Sequence, residues 1–137
     1  MVVRPESMSE ATIKLMFVDD DERLGAAWER LIAHQPDIDL VAWCRSADAM
    51  LERLGQQEAD IVLLDLTMQG RDPLDALVEV SDRYPRSKVI VCTGLDRRKW
   101  EDVAREVGAA DYVDKTDPPA QILETIRRVA KEAKAAR

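Results

Sequence analysis

The stretch at residues 59–70, ADIVLLDLTMQG, constrains the fold more than any other part of the sequence. Within it, Ile61–Leu64 are four consecutive apolar residues. A short apolar run without alternation predicts a strand that is covered on both faces, as in the middle of a parallel sheet. The run ends at Asp65, and open α/β folds bind their ligands at the carboxyl ends of such strands. Asp65 is therefore a candidate site residue, although an isolated acid here is equally compatible with capping a turn or a helix.

Apolar runs alternate with amphipathic segments along the rest of the chain. Each run is followed by a segment in which apolar residues keep helical spacing. Five strands that alternate with five helices imply a parallel sheet with right-handed crossovers. We therefore predict an α/β fold of the flavodoxin-like type, a doubly wound five-stranded parallel sheet in the order 2-1-3-4-5 with five helices. The predicted strands are residues 13–18, 38–44, 61–64, 88–92 and 110–114.

The length of 137 residues predicts a single domain. Residues 1–11 lack periodicity and are expected to form a flexible leader, residues 12–133 the domain, and residues 134–137 a C-terminal tail, with fraying beyond Lys131. No apolar run approaches the about 20 residues that cross a bilayer, and the N-terminus lacks the apolar core of a signal peptide. We expect a cytoplasmic protein with no membrane partner. Cys44 and Cys92 are predicted to be buried thiols.

The charge of the chain bears on its partners. The formal net charge is −7 and the sequence pI is about 4.8, which argues against nucleic-acid binding, because attraction to phosphates needs a basic face. The run Arg97-Arg98-Lys99 is locally basic. We interpret it as a solvated helix face in preference to a phosphate or partner contact.

Five polar side chains follow the predicted strands one, three, four and five. In the predicted strand order, Asp19, Asp20, Asp65, Thr93 and Lys115 meet at one edge of the sheet. Three crowded carboxylates repel one another and raise at least one pKa unless a cation lies among them. Oxygen ligands without His or Cys select a hard ion, so the sequence predicts a Mg²⁺ site.

The same group of residues suits phosphoryl chemistry. Lys115 supplies a positive charge and Thr93 a hydroxyl donor for the oxygens of a phosphoryl group. Without a His or another activating group, the carboxylate of Asp65 is the predicted nucleophile, which would form an aspartyl phosphate. Capping remains the alternative for Asp19 and Asp20, and a turn role for Thr93.

The motifs that carry these residues resemble the receiver domain of two-component response regulators, with the single-domain, chemotaxis-type closest in size. The resemblance extends from residue 13 to about residue 133. It rests on the order and spacing of four motifs, which are FVDDD, IVLLDLTM, VIVCTG and ADYVDKT.

The resemblance implies a specific site chemistry. Asp65 would accept a phosphoryl group from a histidine kinase or phosphotransfer protein. Asp20, Asp65 and the backbone carbonyl of Thr67 would bind Mg²⁺, and Asp19 would help through water. Thr93 and Lys115 would contact the phosphoryl oxygens. Such a domain is not an enzyme toward other substrates, because it only accepts and releases its own phosphoryl group.

The resemblance also implies a switch. Thr93 would move toward the phosphoryl group and Tyr112 would turn inward, although an aromatic residue in strand five is also compatible with plain packing. The face made by the fourth helix, the fifth strand and the fifth helix would then change its binding to a downstream protein partner or to a second copy in a homodimer. A coupling of about 1–3 kcal/mol between the two states is the usual scale.

Several residues depart from the family pattern. The loop after the acceptor has Gln69 where the family usually has Pro, and Pro73 where it usually has Gly. Thr116 follows Lys115 in place of the usual Pro. Thr67 and Leu95 occupy the two positions that tune access of water to the phosphoryl group, so the lifetime of the phosphorylated state is not predicted.

Three alternative functions follow from the same fold. The altered loop suggests a protein-interaction module that does not use phosphorylation. A hydrolase with an aspartyl-phosphate intermediate would normally have a second Asp as general acid two residues after the nucleophile, where this chain has Thr67. A flavin-binding protein is disfavoured, because the first strand-to-helix turn is acidic where a phosphate needs Gly, Ser or Thr donors.

Overall fold

The computed structural model describes residues 12–136, so the predicted leader at residues 1–11 lies outside the described residues. The strands are β1 (Ile13–Val18), β2 (Ile38–Cys44), β3 (Ile61–Leu64), β4 (Lys88–Thr93) and β5 (Asp111–Asp114). The helices are α1 (Glu22–Ala33), α2 (Ala47–Leu54), α3 (Pro73–Arg83), α4 (Arg97–Glu106) and α5 (Pro119–Ala135).

The five strands form one parallel sheet in the order β2-β1-β3-β4-β5, which confirms the predicted fold class. Helices α1 and α5 pack on one face of the sheet, and α2, α3 and α4 pack on the other. In this arrangement the carboxyl ends of β1, β3, β4 and β5 lie side by side at one edge.

Strand β3 shows why the unbroken apolar run is needed. Val62 and Leu64 belong to the core beneath α2, α3 and α4, whereas Ile61 and Leu63 belong to the core beneath α1 and α5. All four side chains are completely buried. Burial of such a side chain contributes about 1.5–3 kcal/mol, so β3 anchors both layers and fixes the position of the residue that follows it.

Side-chain caps begin four of the helices. Ser46 caps α2, with its Oγ accepting a hydrogen bond from the Ala49 amide at 3.1 Å. Asp21 and Asp96 cap α1 and α4 in the same manner. Asp72 accepts from the Leu74 amide at 2.9 Å and precedes Pro73 in the first turn of α3. The unusual Asp-Pro pair is therefore a helix start, because Pro needs no amide partner at this position.

Helix α5 is longer than the sequence prediction. The chain stays helical to Ala135, past Lys131, where we expected fraying. The segment is rich in strong helix formers, and Arg128 pairs with Glu132 one turn later at 3.1 Å. These local preferences stabilise the last turns.

Two further expectations from the sequence concern the burial of the cysteines and the absence of a membrane-spanning segment. Cys44 and Cys92 are free, buried thiols, as predicted, and burial raises the pKa of Cys92 to about 12. Among residues 12–136, no helix has both the length and the apolar character that crossing a bilayer requires.

An ion pair between α5 and the α1–β2 loop gives the first prediction. Arg127 donates to both carboxylate oxygens of Asp37, at 2.8 and 2.9 Å, and this contact holds the pKa of Asp37 below its usual value of 3.8. A lowered pKa means that the stabilisation is complete above the unfolded-state value and is lost as the pH falls through the folded-state value. Because both side chains are more than one-third exposed, we expect Asp37→Asn to lower the free energy of unfolding by only about 1 kcal/mol at pH 7.

Urea unfolding measured at pH 7 and in acid checks this expectation. The difference between Asp37→Asn and the wild type should shrink as the pH falls below about 4. Asp39→Asn, at an exposed position of the neighbouring strand, is the matched control and should change stability little at either pH. A difference that grows in acid would contradict the assignment.

Candidate functional site

Backbone hydrogen bonds continue the sheet one residue beyond the strands and place the site residues. The Asp65 amide donates to the Val18 carbonyl at 3.0 Å, which sets Asp65 beside Asp19. The Lys115 amide donates to the carbonyl of Thr93 at 3.1 Å, at the end of β4. The side chains predicted from strand ends are therefore brought to one edge by the sheet itself.

Three carboxylates cluster at this edge. One oxygen each from Asp19, Asp20 and Asp65 lies within 4.8 Å of the other two. Asp19 and Asp65 are each only 1% exposed, whereas Asp20 is exposed. Burial raises the pKa of Asp19, although its hydrogen bonds with Lys115 and with the Asp21 amide act in the opposite direction.

Lys115 is the positive charge that faces this cluster. Its Nζ lies 2.8 Å from Oδ2 of Asp19 and 3.1 Å from Oδ2 of Asp65. Burial alone would lower the pKa of Lys115, but the hydrogen bond with Asp19 and the charges of both carboxylates outweigh it, so the pKa lies above its usual value. The ammonium therefore stays charged and partly compensates two buried acids.

The two carboxylate oxygens of Asp65 have different surroundings. Oδ2 accepts hydrogen bonds from Lys115 at 3.1 Å and from the Thr67 hydroxyl at 2.7 Å. Oδ1 is buried and has no hydrogen-bond partner among the described residues 12–136. A buried carboxylate oxygen without a partner is energetically costly. This oxygen is thus the part of the cluster that an incoming electrophile or cation would stabilise.

The residues present fit a magnesium ion. The donors of Asp19, Asp20 and Asp65 are all carboxylate oxygens, which is the ligand type that Mg²⁺ prefers, and the cluster includes the unpartnered oxygen of Asp65. The net charge of three carboxylates and one ammonium is negative, so the site attracts a cation even with Lys115 in place.

Thr93 is fully buried at the end of β4. Its Oγ1 accepts a long hydrogen bond of 3.4 Å from the Leu95 amide, which begins the turn toward α4. The turn role and the predicted phosphoryl contact both remain compatible with this position, because a weak bond leaves the hydroxyl able to reorient.

The loop between β3 and α3 also approaches the acceptor. The Thr67 side chain is exposed, and its hydroxyl bonds to Asp65 as described above. Gly70 has a φ of +94°, a left-handed conformation that most other residues adopt only with strain. Arg71, which follows Gly70 in this loop, forms an ion pair with α2, with its Nε 2.5 Å from Oδ1 of Asp48.

A compact turn follows Lys115 where the family usually has Pro. Asp114 Oδ1 accepts hydrogen bonds from the amide and the hydroxyl of Thr116, at 2.8 and 2.7 Å. The Asp114 amide in turn donates to Asp117 at 3.1 Å. These side-chain bonds hold the backbone on both sides of Lys115, so the turn does not depend on a proline ring.

Tyr112 points inward, as it would in the switched state that the resemblance implies. The side chain is 1% exposed, and its hydroxyl donates to the Leu95 carbonyl at 3.1 Å. The guanidinium of Arg97 lies 5.5 Å from the ring centroid and also donates to the Tyr112 carbonyl. Burial raises the pKa of the Tyr112 hydroxyl, against the positive charge of Arg97, which lowers it.

Sequence reasoning missed two side chains that support these groups. We interpreted Arg97 as part of a solvated face, yet its charged head covers Tyr112 while its Nε pairs with Glu101 at 3.0 Å. The second is Trp43, whose indole nitrogen donates to the carbonyl of Asp19 at 3.0 Å. Both contacts join different elements, and only the position of Arg97 just after the Thr93 turn offered a hint in the sequence.

Comparison with known proteins connects this arrangement to one family. A family model described as the response regulator receiver domain matches residues 15–127. Among curated proteins, the response regulator protein VraR of Staphylococcus saprophyticus is 30% identical over 116 residues, which cover 85% of this chain and 56% of the relative. The chain thus spans just over half the length of the curated relatives it matches.

Solved structures show the same fold. A LuxR-family two-component response regulator from Aurantimonas sp. SI85-9A1 is 26% identical with a TM-score of 0.83, covering 88% of this chain and 86% of that one. A CheY-like receiver domain protein from Methanospirillum hungatei JF-1 is 18% identical with a TM-score of 0.81, covering 92% of this chain and 99% of the other.

Proposed function

Because the chain belongs to the response regulator receiver domain family, we propose that it is a signalling switch controlled by phosphorylation of Asp65. The observation that carries the proposal is the Asp65 carboxylate, which lies beside two further carboxylates. Its Oδ2 is 3.1 Å from Lys115, and its buried Oδ1 has no hydrogen-bond partner among residues 12–136. Receiver domains of response regulators are generally signalling switches and not enzymes, and histidine kinases are their partners.

The proposed reaction is an in-line displacement at phosphorus. The Asp65 carboxylate attacks the phosphorus of a phosphohistidine, so that a P–O bond forms while the P–N bond to the imidazole breaks. The imidazole nitrogen leaves with the bonding electrons and takes a proton from solvent. Lys115, held between Asp19 and Asp65, provides fixed positive charge beside the phosphoryl oxygens, and Thr93 provides a hydroxyl donor.

We propose that Asp19, Asp20, Asp65 and the backbone carbonyl of Thr67 hold Mg²⁺, Asp19 through water. When bound, the ion would neutralise negative charge on the acceptor and on the incoming phosphoryl group. The mutual closeness of the three carboxylates supports this ligand set, and the exposure of Asp20 gives the ion access from solvent.

The proposed switch couples Thr93 and Tyr112 to the face of α4, β5 and α5. A new dianion on Asp65 would attract the Thr93 hydroxyl, and the space that Thr93 vacates would further stabilise the inward ring position that Tyr112 has in this structure. The hydrogen bond from Tyr112 to the Leu95 carbonyl supports an inward ring that is tied to the same turn. A downstream protein, or a second copy of the chain, would bind the altered face.

The contact between Arg97 and Tyr112 gives a prediction about this switch. Arg97→Met removes the cation–π contact and the hydrogen bond to the Tyr112 carbonyl, so we expect the ring to leave its inward position part of the time and stability to fall by about 1 kcal/mol. In NMR spectra of protein with ¹³C-labelled tyrosine rings, the Tyr112 signals should shift while those of Tyr84 stay in place. Arg98→Met is the matched control, because the Arg98 side chain is 93% exposed. Equal spectra for the two variants would contradict the role of Arg97.

We propose that the protein functions in the cytoplasm, and its receiver domain corresponds to just over half the length of the curated relatives. The net charge of −7 supports the further proposal that this domain itself does not bind nucleic acid.

Hydrolysis of other phosphate esters is a weaker candidate. The position two residues after Asp65 holds Thr67, whose hydroxyl donates to Oδ2 of Asp65 and has no acidic proton to give to a leaving group. We propose that turnover is limited to the chain's own aspartyl phosphate.

Incubation with a small phosphodonor tests the proposed function. Protein treated with phosphoramidate and Mg²⁺ should gain the mass of one phosphoryl group in intact-mass spectra, and EDTA should prevent the gain. No added mass on well-folded protein would contradict the proposal and would favour an interaction module that does not use phosphorylation.

A further inference from the structure

The indole of Trp43, near the end of β2, is hydrogen-bonded to the backbone of Asp19, the first residue of the pair Asp19-Asp20. Its Nε1 donates to the Asp19 carbonyl at 3.0 Å, and the Asp19 amide donates to the Cys44 carbonyl, also at 3.0 Å. We propose that Trp43 is a positioning residue that sets the orientation of Asp20 for Mg²⁺ binding. This inference rests on the proposed function, because it concerns the same metal site.

Close packing against α1 fixes the position of the indole. A Cβ atom added to Gly25 would lie 2.0 Å from Cζ2 of Trp43, well inside any real contact distance. Only glycine therefore allows α1 to lie directly on this ring. Because the ring has no room to shift toward the helix, its N–H direction is set by packing as well as by the hydrogen bond.

A charged pair covers the outer face of the same ring. The guanidinium of Arg45 lies 4.1 Å from the Trp43 centroid, and its Nε lies 3.3 Å from Oε1 of Glu22. Glu22 is the first residue of α1 and directly follows the three acids at residues 19–21. The contact thus links the end of β2 to the start of α1 around the half-buried indole, and cation–π stacking favours the observed orientation of the ring.

The planar peptide bond carries this constraint to Asp20. The carbonyl oxygen of Asp19 and the amide of Asp20 lie in one peptide plane. Fixing the carbonyl therefore fixes the orientation of the backbone that enters Asp20. Asp20 is the exposed member of the carboxylate cluster, and its backbone must therefore provide most of its orientation. Mg²⁺ demands near-ideal octahedral geometry, which makes affinity sensitive to such positioning.

Titration of the variant Trp43→Phe with MgCl₂ in a calorimeter tests the proposal. Phe keeps an aromatic ring but lacks the N–H donor, and we expect Mg²⁺ affinity to fall about tenfold, the scale seen when an outer-sphere partner of a ligand is lost. Trp100→Phe, in α4, is the matched control and should bind Mg²⁺ like the wild type. If the wild type binds no Mg²⁺, the proposed function fails. If the wild type binds and Trp43→Phe binds equally well, only the role of Trp43 fails.

A spectroscopic measurement on the unmodified protein separates positioning from a merely structural role. The chain has three tryptophans, so a ¹H–¹⁵N spectrum shows three indole signals, and the signal missing in Trp43→Phe identifies Trp43. On addition of Mg²⁺, we expect the Trp43 signal to shift most, because its hydrogen-bond acceptor belongs to the peptide that bears the ligand. If Mg²⁺ binds but the Trp43 signal does not shift, the inference is overturned, whatever the stability of the variant.

Discussion

Asp65→Asn should lose phosphoryl incorporation from a small phosphodonor by at least about 100-fold, because an amide lacks the negative charge and the nucleophilic oxygen of the carboxylate. The loss should not come from unfolding. Asn preserves the size of the side chain and removes one of three mutually repelling charges, so the variant should be at least as stable as the wild type without Mg²⁺.

Intact-mass spectra over a time course measure this effect. Asp102→Asn, at an exposed position of α4, is the control and should gain phosphoryl mass at the rate of the wild type. Undiminished labelling of Asp65→Asn would show that another group is the acceptor. Equal loss in the control variant would show that the assay does not report on this site.

Lys115→Met should lower the free energy of unfolding by more than either Asp37→Asn or Arg97→Met. Methionine fills similar volume but leaves Asp19 and Asp65, each 1% exposed, without the ammonium that lies 2.8 and 3.1 Å from them. Breaking a buried ion pair by removal of one partner costs about 3–5 kcal/mol, and because Lys115 itself is 23% exposed we expect about 3 kcal/mol.

Guanidinium unfolding at pH 7 without Mg²⁺ tests this prediction. Lys14→Met is the matched control, because Lys14 lies 3.9 Å from Glu58 with both side chains exposed, and its loss should cost less than about 1 kcal/mol. Addition of Mg²⁺ should restore part of the stability of Lys115→Met, since an ion that binds only the folded state stabilises it. Equal stability of the two lysine variants would show that Lys115 does not compensate the buried acids.

Much of the fold follows from local sequence patterns. The run Ile61–Leu64 is buried on both sides, which already requires two helical layers, and Ser46 caps its helix because of its side chain alone. The end of α5 was harder to predict. From the sequence we predict fraying beyond Lys131, whereas helix propensity and a surface ion pair extend the helix to Ala135.

The candidate site likewise contains residues whose positions follow from the sequence and contacts that do not. The positions of Asp19, Asp65 and Lys115 follow from strand order, because each residue stands directly after a parallel strand. The contact of Trp43 with the Asp19 carbonyl depends on how closely α1 approaches at Gly25, which no spacing in the sequence reveals. The stacking of Arg97 on Tyr112 likewise depends on the rotamer of a long, half-exposed side chain.

Locating the phosphoryl group within the chain tests the central claim most directly. Borohydride reduction converts an aspartyl phosphate to homoserine, so peptide mass spectrometry after treatment with phosphoramidate, Mg²⁺ and borohydride identifies the acceptor. We predict homoserine at position 65, with none when EDTA replaces Mg²⁺. Homoserine at another aspartate, or modification that does not need the ion, would contradict the assignment of Asp65 as the Mg²⁺-dependent acceptor.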